Sequence, residues 1–351
     1  MSEYRYEPLS EISNFGGMGE VAFSKDLHLD RKVAIKFLQA GVEERRFLDE
    51  QLALMQLRSK HVVQLYDVIN IQGREGLVLE FIEGKDLSEL DYDELGSDVL
   101  IHHLWQIACG LVDIHNHGII HRDLKPNNVR MNEDGVIKIF DFGLSRSQSN
   151  AATKGVVGTF VFMAPELWGA GSSNFSKAVD VYAFAITALV LANKELPQEL
   201  CELPPLEYIR GGKIRESLSG VDSKVVDIIE QCLSYDPAMR PSMKNVEICL
   251  RRYLLKGRHT GLFIIGDEQK YVDSSKRSTK IGLQNDPTSI SIEYDGYDFK
   301  ITHISGCVRV NNQIATVGRA LPESSVLTFE SSKSQSRAFV TFDISNPEVV
   351  V

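Results

Sequence analysis

The stretch HRDLKPNN, His121 to Asn128, sits between GLVDIHNHGII and VRMNEDGVIKIFDFG. It sets an acid at Asp123, a cation two residues on at Lys125 and an amide at Asn128. Pro126 rules out regular helix across the segment. Taken one at a time, these residues have ordinary explanations: Asn128 is a loop cap, and Asp141 farther on is a turn aspartate before a glycine. Whether they form a site depends on what the rest of the chain places around them.

Upstream, residues 9–38 read as strand, loop and strand, with FGGMGEVAF as a glycine-rich connection and KVAIKFL as a β-branched strand. VEERRFLDEQLALMQLRSK carries Phe47, Leu48, Leu52, Leu54, Met55 and Leu57, a spacing that predicts an amphipathic helix. HVVQLYDVI and EGLVLEFI are two further strands. From about residue 86 the pattern turns helical. DVLIHHLWQIACGLVDIHNHG is a long helix stopped by Gly118, and residues 177–255 hold several more, broken at PQEL, LPP, GG and DPAMRP. VYAFAITALVLAN, from Val181, is too short to span a bilayer and reads as a buried core helix. After residue 260 the texture changes to alternating runs, SISIEY, DFKITHI, CVRVNN, SVLTF and AFVTFDI, with an Asn-Asn hairpin turn in VNNQI. These runs predict a separate antiparallel β domain.

The totals narrow the function classes. With 351 residues there is room for two domains, and 43% hydrophobic with 25% charged residues is the balance of a folded chain. A net charge of −10 makes nucleic acid an unexpected partner. Cys109, Cys201, Cys232, Cys249 and Cys307 are odd in number and never in CxxC spacing, which suits reduced thiols better than a disulfide framework or a zinc site. The start, MSEYRYEPLS, lacks a basic and then apolar leader. The expectation is a cytoplasmic protein with no membrane partner.

Gly16, Gly17 and Gly19 lie between strands, where glycine lets backbone N–H groups approach phosphate oxygens. An ordinary hairpin turn explains them equally well, and no Gly-Lys-Ser/Thr follows to make a Walker A loop. Lys36 stands mid-strand in VAIK, and Glu50 on the next helix offers it a carboxylate. A lysine so paired can contact nucleotide phosphates. Together, NFGGMGEV, VAIK, HRDLKPNN, DFG, GTFVFMAPE, DVYAFA and DPAMRPS, in this order over residues 9–254, resemble the eukaryotic-type (Hanks-type) serine/threonine protein kinases. GGMGEV is similar to the bacterial branch.

That resemblance implies an α+β, bilobal protein-kinase-like fold with a β-rich N-lobe (1–80) and a helical C-lobe (81–256); the alternating runs beyond it add a small antiparallel β-sandwich-like domain (260–351). It implies ATP and Mg²⁺ as cofactors and transfer of the γ-phosphate to serine or threonine hydroxyls of protein substrates, the chain itself included. Asp123 is then the base that orients the hydroxyl, Lys125 neutralises charge on the transferred group, and Asn128 and Asp141 are the metal ligands. Asn14, Gly16, Gly17, Gly19, Val21, Ala34, Lys36 and Glu50 surround the nucleotide. Leu79 is the gatekeeper, Glu80 to Ile82 the hinge, and Asp86 faces the ribose. Glu166 and Arg240 form a buried ion pair, and Asp180 anchors the catalytic loop. Arg122 is expected to pair with a phosphate on Ser145, Ser147, Ser149 or Thr153, the alternative being an unmodified polar loop. Thr159 faces the substrate.

Three positions depart from the family pattern: Asn14 at the first glycine, Asn127 where glutamate is usual, and Phe162 where tyrosine is usual. No group that handles phosphate or metal is missing, which disfavours a nucleotide-holding pseudokinase scaffold. A dual-specificity kinase acting also on tyrosine stays open. Lys125, GTFVFMAPE and Arg240 speak against a small-molecule kinase.

In the last domain, KIGLQNDPTSISI and SGCVRVNNQIATVGRALPESSVLTF resemble two segments of forkhead-associated (FHA) domains. The phosphate-contacting arginine of that family is absent after Gly282, where Leu283 stands, and this puts phosphothreonine binding in doubt. Substrate recruitment, dimerisation or control of the kinase are its alternative roles, and nothing in the sequence chooses among them.

Overall fold

Alternation in RKVAIKF builds the first sheet around β3 (Arg31–Phe37). Successive side chains of a strand point to opposite faces, so Val33, Ile35 and Phe37 enter one core while Ala34 and Lys36 face the other way. The structure, a computed structural model, describes residues 5–9, 20–38, 44–71, 73–142, 160–168, 175–192, 195–207, 212–331, 333, 336–345 and 347–349. It divides between Leu250 and Arg251 into two compact units.

In the first unit β3 pairs antiparallel with β2 (Glu20–Asp26) and β5 (Arg74–Glu80), with β1 (Tyr6–Pro8) and β4 (Leu65–Ile71) at the edges. Register sets Lys36 between Val21 and Leu77, and Ala34 opposite Leu79. The far face packs Tyr6, Ala22, Val33, Ile35, Phe37 and Val78 together. Arg5 clamps the β2 end through Asp26, at 2.8 and 2.9 Å.

Helix α1 (Glu44–Gln56) forms where the apolar spacing predicts it, but the apolar residues divide between its two sides. Its buried side holds Phe47, Glu50, Ala53 and Leu54, whereas Leu48, Leu52 and Met55 are 46–58% exposed. The buried stripe contains a carboxylate, so hydrophobicity alone does not locate the face.

The rest of the unit is mostly helical: α2 (Tyr92–Leu95), α3 (Ser97–Asn116), α4 (Ala178–Ala192), α5 (Gln198–Cys201), α6 (Lys213–Ser217), α7 (Ser223–Cys232) and the start of α8 (Met243–Leu254), whose last turn falls in the second unit. α3 ends where Gly118 takes a φ of +74° and Ile119 N–H reaches back to the Ile114 carbonyl. α4 is apolar nearly all round and buried along its length, as a core helix must be. A small antiparallel sheet of β6 (Gly84–Asp86), β7 (Val129–Asn132) and β8 (Ile137–Ile139) lies against α3. At that contact a Cβ on Gly110 would sit 2.8 Å from Ile139 Cδ1 and 3.0 Å from the His61 carbonyl oxygen.

The second unit is all β. One sheet runs β10 (Glu268–Val272), β9 (Gly261–Ile265), β17 (Arg337–Ile344), β16 (Ser324–Glu330), β14 (Cys307–Val310) and β15 (Gln313–Ile314). The other runs β11 (Ser278–Gly282), β12 (Ser289–Tyr294) and β13 (Phe299–Ser305). Phe263, Tyr294, Phe299, Phe329 and Phe342 anchor its core, with Tyr294 stacked on Phe299 at 4.6 Å. Asn311 and Asn312 turn β14 into β15 with φ of +48° and +67°, the left-handed pair that an Asn-Asn hairpin turn supplies.

Candidate active site

Asp123 is positioned from beneath by Asp180 at the start of α4. The Asp180 carboxylate is fully buried and accepts the backbone N–H groups of His121 and Arg122, each at 2.8 Å. His115 Nε2 from α3 donates to the same group at 2.8 Å. These bonds hold Arg122 at a φ of +69°, a left-handed conformation costly for a side chain of this size. Asp123 follows directly, and its orientation inherits that constraint. His121 Nε2 donates to the Phe140 carbonyl at 3.1 Å, tying the loop to the residue before Asp141.

Around Asp123 the opening stretch closes on itself. Lys125 Nζ donates to its Oδ2 at 2.7 Å. Asn128 Nδ2 donates to its carbonyl at 2.7 Å and to Oδ2 at 3.0 Å. Pro126 opens the short 3₁₀ turn Pro126–Asn128, where its missing N–H costs nothing. Because the Asn128 amide nitrogen is spent on Asp123, its side-chain oxygen points the other way, as a metal ligand would. The β7–β8 hairpin then returns the chain, with Asn132 Oδ1 accepting from Asp134 and Val136 and Gly135 at a φ of +77°. Phe140 N–H donates to the Asn128 carbonyl at 3.0 Å, which brings Asp141 back beside the loop.

Lys36 Nζ bonds Glu50 at 2.8 and 2.9 Å and Asp141 at 2.6 Å, uniting β3, α1 and the end of the hairpin. Burial works against the Lys36 ammonium, but the attraction of Glu50 and Asp141 outweighs it and holds its pKa above the ordinary value. Burial raises Glu50 above the usual carboxylate range, with Lys36 offsetting part of the rise. Burial pushes Asp141 upward too, yet Lys36 prevails and holds it below that range. With all three ionised the trio carries one net negative charge, a setting that suits a cation. Among the described residues no three His, Cys, Asp or Glu side chains gather as a metal cage. Asp141 and Asn128 instead offer two hard oxygens. That donor set fits Mg²⁺, which takes one or two protein ligands and completes its shell with phosphate and water.

Val21, Ala34 and Leu79 share the Lys36 face of the sheet by register. Glu80 directs its side chain to Lys138 at 2.8 Å and its N–H to the Gln64 carbonyl at 2.8 Å. Asp86, expected at the ribose, has its carboxylate on Arg130 Nε at 2.7 Å, an engagement the sequence did not signal. Glu166 and Arg240 form the expected pair, two bonds of 2.8 Å each. The Arg240 guanidinium also donates to the carbonyls of Ser234, Ala178 and Tyr235. Arg122 lies over the Phe175 ring at 4.5 Å. Asn14, Gly16, Gly17, Gly19, Ser145, Ser147, Ser149, Thr153 and Thr159 lie outside the described residues. Sequence reasoning missed His115, His121 and Lys138; only His121, inside HRDLKPNN, carried a signal.

A family model described as a protein kinase domain matches residues 9–250. A probable serine/threonine-protein kinase PknB of Lactococcus lactis is 33% identical over 204 residues, covering 55% of this chain and 32% of that protein. The serine/threonine-protein kinase PknA of Corynebacterium glutamicum is 32% identical over 200 residues, 53% of this chain and 42% of that protein. Human cyclin-dependent kinase-like 2 is 30% identical over 276 residues, 68% and 56%. The chain thus spans 32% to 56% of the length of these curated relatives.

Proposed function

The chain belongs to the protein kinase domain family, and we propose that it transfers the γ-phosphoryl group of ATP to serine or threonine hydroxyls of protein substrates, itself included. In this reading residues 1–80 and 81–256 are the two lobes of the kinase, and residues 260–351 are a separate β domain. The observation that carries it is the meeting of Lys36, Glu50 and Asp141 in one ion-pair cluster, with Asp123, Lys125 and Asn128 linked in another.

Each group has a task its contacts prepare it for. Lys36, held charged by Glu50, binds the nucleotide phosphates. Asn128 and Asp141 would hold Mg²⁺, which would supply positive charge to offset that of the nucleotide phosphates. The Asp123 carboxylate, fixed by Lys125 and Asn128, accepts a hydrogen bond from the incoming hydroxyl and aims its oxygen at the γ-phosphorus. Lys125, within 2.7 Å of Asp123, stands beside the same atoms and stabilises negative charge on the group in transit. Glu166 and Arg240 brace the substrate-binding segment.

Among the described residues no helix is long and apolar enough to cross a membrane, and none of the five cysteines is in a disulfide. The test is incorporation of label from γ-labelled ATP into the purified chain, alongside Asp123→Asn and Asp141→Asn. Incorporation onto serine or threonine, abolished in both variants, supports the reading. Nucleotide binding without incorporation by the unaltered chain overturns it in favour of a scaffold, and label on tyrosine widens the substrate class.

A further inference from the structure

The six-stranded sheet of the second unit buries one face and leaves much of the other exposed, although Thr328 on that second face is buried. There, register aligns Ile264, Thr341 and Val326 in one row across β9, β17 and β16, and sets Phe339 opposite Thr328 in the next row. Ile264 and Val326 are exposed, and Phe339 is 63% exposed. Isolated apolar residues on a surface are unremarkable, but three set together on a sheet face mark a surface awaiting cover.

Charge identifies the cover. Along β17 the outward positions are Arg337, Phe339, Thr341 and Asp343, a cation at one end and a carboxylate at the other. The pattern is symmetric about Val340. A two-fold axis lying in the plane of the face, across the strands, lays β17 antiparallel over β17 of a second copy and keeps the row order. Arg337 then meets Asp343 of the second copy, and the pair forms twice. Phe339 comes to rest on Thr341 of the second copy, flanked by that copy's Ile264 and Val326. A partner of one charge sign would satisfy only one end of the strand.

We propose that this face is a self-association surface, occupied by the same face of a second copy of the chain in an antiparallel register centred on Val340. Arg337 touches Glu330 at 3.2 Å within its own chain, and its five-donor guanidinium has capacity for both carboxylates. Asp343 accepts from Ser324 Oγ at 2.7 Å and keeps further lone pairs to offer. If the proposed phosphoryl transfer holds, pairing raises the local concentration of one kinase unit around another and favours phosphorylation in trans. The association itself does not depend on that activity.

Sedimentation velocity of the full chain over a concentration series at low salt tests this without any activity readout, with circular dichroism confirming that each variant is folded. The expected result is a concentration-dependent dimer, weakened at least about tenfold by Arg337→Asp and by Asp343→Arg alone, and by Phe339→Ser. An equimolar mixture of the two charge variants re-forms the dimer, because the mixed pair has opposite charges at both ends. A chain that stays monomeric to roughly 1 mM overturns the proposal. So does a dimer that the charge variants leave intact, or a mixture that fails to re-form it.

Discussion

Asp180→Asn tests how the loop under Asp123 is held. The carboxylate accepts three donors, His115 Nε2 and His121 N–H on one oxygen and Arg122 N–H on the other. An asparagine has one acceptor oxygen. Its less costly orientation keeps the two histidine donors and turns an NH₂ group towards Arg122 N–H, losing one charge-assisted bond and weakening the others. That costs about 2–4 kcal/mol. Without its partner, Arg122 relaxes from its φ of +69°, a conformation whose strain is of order 1–3 kcal/mol, and carries Asp123 with it. A displacement of about 1 Å at a reacting group costs on the order of 10²-fold in rate. Urea unfolding reads the first effect and single-turnover phosphoryl transfer at saturating Mg-ATP reads the second. KM for ATP should change little, since Lys36 and Asp141 are untouched. A variant that loses stability as expected but turns over at the unaltered rate would refute the view that Asp180 aims the catalytic loop.

Removing the partner of a buried guanidinium leaves a charge stranded: Glu166→Ala should cost about 3 kcal/mol, and a double substitution replacing Arg240 by Leu as well should cost less than the sum. Thermal unfolding of the single and double variants decides it. Gly110→Ala should destabilise by about 1–3 kcal/mol, because its Cβ meets the His61 carbonyl at 3.0 Å; an unchanged melting temperature would mean that α3 and the β8 region can part freely. Burial, then the neighbouring His102, lowers His103 to about 4, and its ring pairs with the Tyr92 hydroxyl at 2.8 Å. The folded value lies below the unfolded one near 6.5, so the unfolded state binds more protons between them. Stability is therefore full above about pH 6.5 and falls as pH drops towards 4, by up to about 3 kcal/mol. His103→Gln should flatten that part of the pH–stability curve.

The order of motifs from VAIK to DPAMRPS carried the family and most of the candidate site, because each motif packs several polar groups into a few neighbouring residues. What the sequence hid was long-range. His115 and Asp180 meet across 65 positions, Lys138 and Glu80 across 58, and Arg130 and Asp86 across 44, and no local pattern announces such pairs. Apolar spacing in α1 misled for a physical reason. Its inward face had to carry Glu50 to Lys36, so Leu48, Leu52 and Met55 were left outside. In the second unit the strands with clean alternation were legible. β10 and β11 were not, since both lie at sheet edges and are largely polar, and β9, as GLFII, shows no alternation.

A structure determined with Mg²⁺ and a non-hydrolysable ATP analogue would show whether Asn128, Asp141, Lys36 and Asp123 converge on one nucleotide. The expected result is Mg²⁺ at about 2.1 Å from a carboxylate oxygen of Asp141 and the side-chain oxygen of Asn128, with Lys36 on the phosphates and the terminal phosphate facing Asp123. Nucleotide bound elsewhere, or a metal held without Asn128 and Asp141, would contradict it.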